Sequence, residues 1–154
     1  MKQYRYILGI AIALIAALPA VADDSLFGEI KLSPGFTRTA QNGFTGGTLS
    51  FTEKFNRDRE GNLCVGYGDI TPDYILVVNE DLPQLTLEVD SGGNDTTLVI
   101  QDRDRNILYC GDDFNNNPDA RLSYDNFQSG TYRVWVGSFD PNQRWNYNFI
   151  VRED

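Results

Sequence analysis

Histidine does not occur in this 154-residue chain. That removes the side chain that most often serves as a general base near neutral pH. Triads built on imidazole and histidine-ligated metal sites go with it. Positive charge is scarce as well: 13 Lys and Arg stand against 22 Asp and Glu, a net charge of −9. Such a surface repels polyanions, so nucleic acid is not an expected partner. Cysteine is limited to two positions, Cys64 and Cys110. Long apolar runs are missing after the first two dozen residues, and so is any sustained helical period. Neither a transmembrane segment in the mature chain nor a helical fold is therefore expected.

What is present begins at the N-terminus. Lys2 and Arg5 precede an apolar stretch from Ile7 to Leu18, and Pro19 leads into Ala20-Val21-Ala22. A positive region, a short apolar core and a small-residue cleavage site make residues 1–22 a signal peptide. The apolar core is about a dozen residues long, short of the ~20 that span a bilayer. Cleavage after Ala22 leaves 132 residues, one domain's worth, and loss of Lys2 and Arg5 carries the net charge to −11. The destination is the periplasm or the extracellular space. There an even cysteine count points to a disulfide, Cys64–Cys110; two buried free thiols are the alternative. The bridge closes a loop of about 45 residues, for which chain entropy gives roughly 3–4 kcal/mol.

The mature chain is a succession of short alternating runs between turn residues. Tyr74 to Asn79 is strongly apolar, and Leu85, Leu87 and Val89 alternate with polar residues. Thr97–Gln101 and Ile107–Cys110 flank a five-residue polar loop. Ala120–Tyr124, Gly130–Ser138 and a closing run with Tyr147, Phe149 and Val151 complete the set. Eight or nine strands with one apolar face each make an all-β fold, a two-sheet antiparallel β-sandwich. Residues 44–154 form the sandwich; residues 23–43 are weakly patterned and read as an N-terminal arm or edge strand.

Several segments occur in a suggestive order. Asp95-Thr96-Thr97-Leu98-Val99-Ile100 comes first, then Cys110-Gly111-Asp112-Asp113, then Gly130 to Ser138. Cys64-Val65-Gly66-Tyr67-Gly68 and Pro72-Asp73-Tyr74 lie upstream. Over residues 44–152 this set resembles the bacterial pre-peptidase C-terminal domain family, in its small stand-alone exported form. The resemblance implies a jelly-roll-like sandwich that serves binding, secretion or solubility rather than catalysis. No peptidase domain accompanies it here. Some relatives resemble calcium-binding modules.

Calcium prefers several oxygen ligands. A hairpin centred near Asp104 sets Asp95 opposite Asp113 and Thr96 opposite Asp112, so that Asp95, Asp112 and Asp113 converge as candidate metal ligands. Crowded carboxylates favour a cation or a raised pKa; the alternative is a plain acidic turn. Asp113, Asn115, Asn117 and Asp119 alternate as in a calcium loop, but Pro118 and Tyr124 occupy the places where an EF-hand needs Gly and Glu. Asn56, Asp58 and Glu60 make a fainter echo. Trp135, Trp145 and Tyr147 offer an aromatic platform for sugars. The expectation is an exported, non-catalytic binding domain, calcium-stabilised, with a protein or glycan of the cell envelope as partner. The alternative is a carbohydrate-binding module. A carboxylate-pair hydrolase is a third, remoter reading.

Overall fold

The computed structural model describes residues 24–154; the expected signal peptide, residues 1–22, lies outside them. The regular elements, in chain order, are β1 (Glu29–Leu32), β2 (Arg38–Phe44), β3 (Leu49–Ser50), α1 (Phe51–Phe55), β4 (Tyr67–Gly68), β5 (Tyr74–Val78), β6 (Leu82–Asp90), β7 (Thr96–Asp102), β8 (Leu108–Phe114), β9 (Asn117–Phe127), β10 (Gly130–Ser138) and β11 (Asn146–Glu153). Nine strands follow one continuous path, β1-β5-β10-β7-β8-β9-β6-β11-β2; off it, the short β3 pairs with β4 and β4 with the end of β10. The first five form one sheet, and β9, β6, β11 and β2 form the other. Strand β8 belongs to both: Leu108–Gly111 pair with β7, and Asp112 and Phe114 pair with β9. The result is an all-β sandwich, as expected.

Alternation decides what is buried. Leu85, Leu87 and Val89 of β6 and Tyr147, Phe149 and Val151 of β11 are at most 3% exposed. They meet Leu76, Leu98, Ile100, Tyr132, Val134 and Val136 from the other sheet in one continuous core. One pairing departs from the antiparallel expectation: β1 runs parallel to β5. The chain between them visits the opposite sheet through β2, so no hairpin imposes an antiparallel direction.

Two local features lie in stretches rich in glycine and asparagine. Gly43–Ser50 ends β2, passes Gly46-Gly47, makes the short strand β3 and leads into α1. Ser50 caps that helix by accepting from the Glu53 amide at 3.3 Å. The polar stretch Asp112–Asp119 is a tight hairpin rather than a loop. Asn115 and Asn116 take φ of 52° and 62°, the two successive left-handed residues that a two-residue hairpin turn requires.

The helix carries a second, smaller core. Phe51 and Phe55, one turn apart, cover Val99, Trp135 and Cys64 on the outer side of the first sheet. Cys64 and Cys110 are joined in a disulfide, with Cα atoms 5.2 Å apart. The bridge ties the α1–β4 segment to β8 just before that strand changes sheets. Replacing both cysteines by serine should lower the melting midpoint by about 10 °C, from a loss of roughly 3–4 kcal/mol. Unreduced peptide mapping should show Cys64 and Cys110 linked in the native protein. Equal melting curves for the two forms would remove the bridge from the stability of the domain.

Candidate functional site

Strand β8 changes sheets at Gly111. A Cβ there would lie 2.7 Å from Leu122 Cγ and 2.8 Å from the Arg121 carbonyl oxygen, so only glycine lets β8 pass this close to β9. The two residues after the crossing are Asp112 and Asp113. The hairpin register is Leu98↔Gly111 and Val99↔Cys110, one residue off the register expected from a centre at Asp104. Asp95 and Asp113 are therefore not register partners. The three carboxylates converge all the same, because β8 bends past the start of β7: one oxygen each from Asp95, Asp112 and Asp113 lies within 4.8 Å of the others.

This corner is short of hydrogen-bond donors. Asp95 Oδ1 and Asp112 Oδ1 are buried and have no hydrogen-bond partner among the described residues. Arg121, the register partner of Asp112 on β9, lays its guanidinium 4.3 Å over the Phe114 ring. Burial, then the charges of Asp113 and Asp140, raises the pKa of Asp95. Burial, then Asp113, raises that of Asp112. Loss of solvent and like charge act in the same direction, as they do at sites built to receive a cation or a proton. The main-chain carbonyl of Asp95 accepts from the Phe139 amide at 3.0 Å, which anchors the start of β7 to the segment that follows β10.

The other acidic positions are structural. Asp119 accepts from the Ser91 hydroxyl and amide and from the Gly93 amide, so it locks the β6–β7 turn. Asp58 accepts from the Glu60 and Asn62 amides and closes its own turn. Neither echo of a calcium loop is therefore free to bind. The aromatic platform also fails: Trp135 is 2% exposed and packs 4.9 Å from Phe55 in the smaller core. Period-two alternation set Trp135 opposite Val134 and Val136; only the covering helix decided that this outer face is buried.

Two features went unread in the sequence. One is a cleft of about 650 Å³ at the end of the second sheet, where Asn146 and Asn148 alternate with inward Tyr147 and Phe149. That alternation is legible; the strands beside it are not. The other is Asp73, which is 2% exposed. Its carboxylate accepts from the Val136 amide at 2.9 Å and the Tyr147 hydroxyl at 3.0 Å. The Tyr147 hydroxyl reaches it beside Gly43, where a Cβ would come within 2.4 Å of that oxygen. Asp73 thus joins β5, β10 and β11 at the heart of the sandwich.

The arrangement can now be set beside known structures. A crystal structure of the pre-peptidase C-terminal domain of collagenase from Bacillus anthracis superposes with a TM-score of 0.50 at 15% sequence identity, over 84% of this chain and 100% of that one. The fold is that of a pre-peptidase C-terminal domain. The resemblance expected from the order of segments thus holds at the level of fold. No protein-family model matches the sequence, and comparison with curated proteins yields no match.

Burial raises the pKa of Asp73 from 3.8 to about 7, against the opposing pull of its two hydrogen bonds. Between those values the folded chain holds a proton that the unfolded chain has released. Stability therefore falls as pH rises across this window, by up to about 1.4 kcal/mol per pH unit for one group. The raised pKa values of Asp95 and Asp112 act with the same sign. In EDTA, the wild type should melt higher at pH 5 than at pH 8. Asp73→Asn, which mimics the protonated acid, should flatten that slope. An unchanged slope in the variant would assign the pH dependence to other groups.

Proposed function

We propose that this chain is an exported, non-catalytic binding domain whose acidic corner is held by a calcium ion. The observation that carries the cation is the pair of buried, partnerless oxygens, Asp95 Oδ1 and Asp112 Oδ1, within a three-carboxylate cluster. Those two oxygens receive no hydrogen bond from the described residues, and a hard divalent cation would stabilise their negative charge. Asp95, Asp112 and Asp113 would hold it, and it would supply charge neutralisation and a strut between the start of β7 and the bend of β8. The irregular set of carboxylates suits calcium better than magnesium, which demands a near-ideal octahedron.

A non-catalytic role is supported by the chemistry the chain lacks. Histidine is absent and both cysteines are consumed by the bridge. The buried acid Asp73 faces a tyrosine and a backbone amide inside the core, where no substrate reaches it. Export is supported by the N-terminal sequence and by a disulfide of the kind that persists in oxidising compartments. No helix among the described residues is long and apolar enough to cross a membrane. The partner in this reading is a protein or glycan of the envelope or extracellular space.

Thermal unfolding of the wild type and Asp113→Asn, each with calcium and with EDTA, tests the cation. Binding to the folded state alone stabilises it by about 2.7 kcal/mol at a hundredfold excess over Kd, which is several degrees in melting midpoint. Calcium should raise the wild-type midpoint, EDTA should reverse the rise, and Asp113→Asn should lose most of the response. Identical midpoints in all four measurements would leave a plain acidic turn.

A further inference from the structure

We infer that the outer face of the second sheet carries a binding cleft for a neutral saccharide. The inference rests on the reading of the chain as a binding domain and is independent of the cation. Its basis is an ordered array of polar groups across three adjacent strands. Asn148 of β11 lies directly opposite Asn42 of β2 on one side and Asp90 of β6 on the other. Directly opposed side chains on one face stand about 5 Å apart, so amide, amide and carboxylate form a row about 10 Å long. Two residues along the strands, Asn146 lies opposite Phe44.

All four polar side chains point outward. Asn42, Asp90, Asn146 and Asn148 are exposed, while Tyr147, Phe149 and Val89 between and beside them are buried. None of the three asparagine side chains has a hydrogen-bond partner among the described residues. Exposed amides with both a donor and two lone pairs to offer can match paired hydroxyl groups, each of which donates and accepts. The same cleft has an apolar wall. Phe27 and Phe44 meet edge to face at 4.9 Å, and the Arg144 guanidinium lies 3.5 Å over the Phe44 ring and holds it in place. A sugar ring presents the complementary pair of surfaces: hydroxyls at its edge and C–H groups on its face.

The cleft also has a fixed rim and a suitable size. Ser91 and Gly92 border it, in the turn that Asp119 locks. Its volume of about 650 Å³ accommodates a di- to trisaccharide within the range of ordinary ligand sites. Among the lining residues Asp90 alone is charged; the Arg144 guanidinium over Phe44 offsets that carboxylate locally, within a chain of net charge −9. Sulfated and uronic-acid glycans are disfavoured on that ground, and the neutral ones remain.

The side-chain amide resonances of Asn42, Asn146 and Asn148 provide a direct test by nitrogen–proton NMR. The probes are neutral hexasaccharides of β-1,4-glucose, α-1,4-glucose, β-1,4-xylose and β-1,4-N-acetylglucosamine. A polygalacturonate oligomer serves as the acidic control and a proline-rich peptide as the alternative class of ligand. At least one neutral sugar should shift these three amides, and the acidic control should not. Asn148→Ala should weaken that binding about tenfold, the loss of one or two hydrogen bonds. Phe44→Ala should weaken it while leaving the calcium response unchanged. Absence of shifts with every neutral sugar at about 10 mM, a concentration that would populate a site of millimolar Kd, or shifts with the peptide alone, would overturn the inference. Loss of the calcium response with sugar binding intact would strike the cation and leave the cleft standing.

Discussion

Strand β8 leaves one sheet and enters the other within a single residue, and much of the molecule depends on that crossing. Gly111 permits it, because any side chain would collide with Leu122 and with the Arg121 main chain. Cys110, just before the crossing, is tied to Cys64 and so fixes the smaller core beneath α1. Asp112 and Asp113, just after it, are swung toward Asp95 at the start of β7. Three consecutive features, a covalent tie, a bend and an acidic corner, thus share one stretch of backbone.

That arrangement concentrates unfavourable charge where the fold can least relax it. The disulfide and the β8–β9 pairing hold the bend, and the Phe139 amide holds the Asp95 carbonyl. These ties fix the backbone positions from which the three carboxylates project. The raised pKa values of Asp95 and Asp112 express the same crowding and burial. In the proposed reading a cation would relieve it at neutral pH, as a proton does in acid. Asp73 carries a related tension inside the main core. It is buried to organise β5, β10 and β11, and it accepts a titration near neutrality in exchange.

Two sites at the same end of the sandwich, joined by the short β6–β7 turn, differ in character. One is rigid, acidic and poor in donors. The other, around Asn42, Asn146 and Asn148, is exposed and rich in amides, with an aromatic wall and a locked turn at its rim. The first suits an ion that completes the structure. The second suits a ligand that arrives from solution.

Much of this was determined by the sequence alone. Period-two alternation in Leu85–Val89, Gly130–Ser138 and Tyr147–Val151 specified strands and their buried faces, because a strand has only two faces to choose from. Two cysteines allow one intramolecular pairing, and the missing histidine removes whole classes of chemistry. Ser50 with Glu53 carried a capping signature for α1 that is readable once Phe51 and Phe55 are seen to be one turn apart. Only the tertiary structure decided the rest. Which outer face is covered cannot be read from one strand, so Trp135, a platform by alternation, became core under α1. Register depends on the turn that closes a hairpin, and one residue of offset broke the direct pairing of Asp95 with Asp113; the bend at Gly111 restored their proximity by another route. The polar row of Asn42, Asn148 and Asp90 sets Asn42 beside Asn148, more than a hundred positions away, and only the packing of β2, β11 and β6 side by side brings them together.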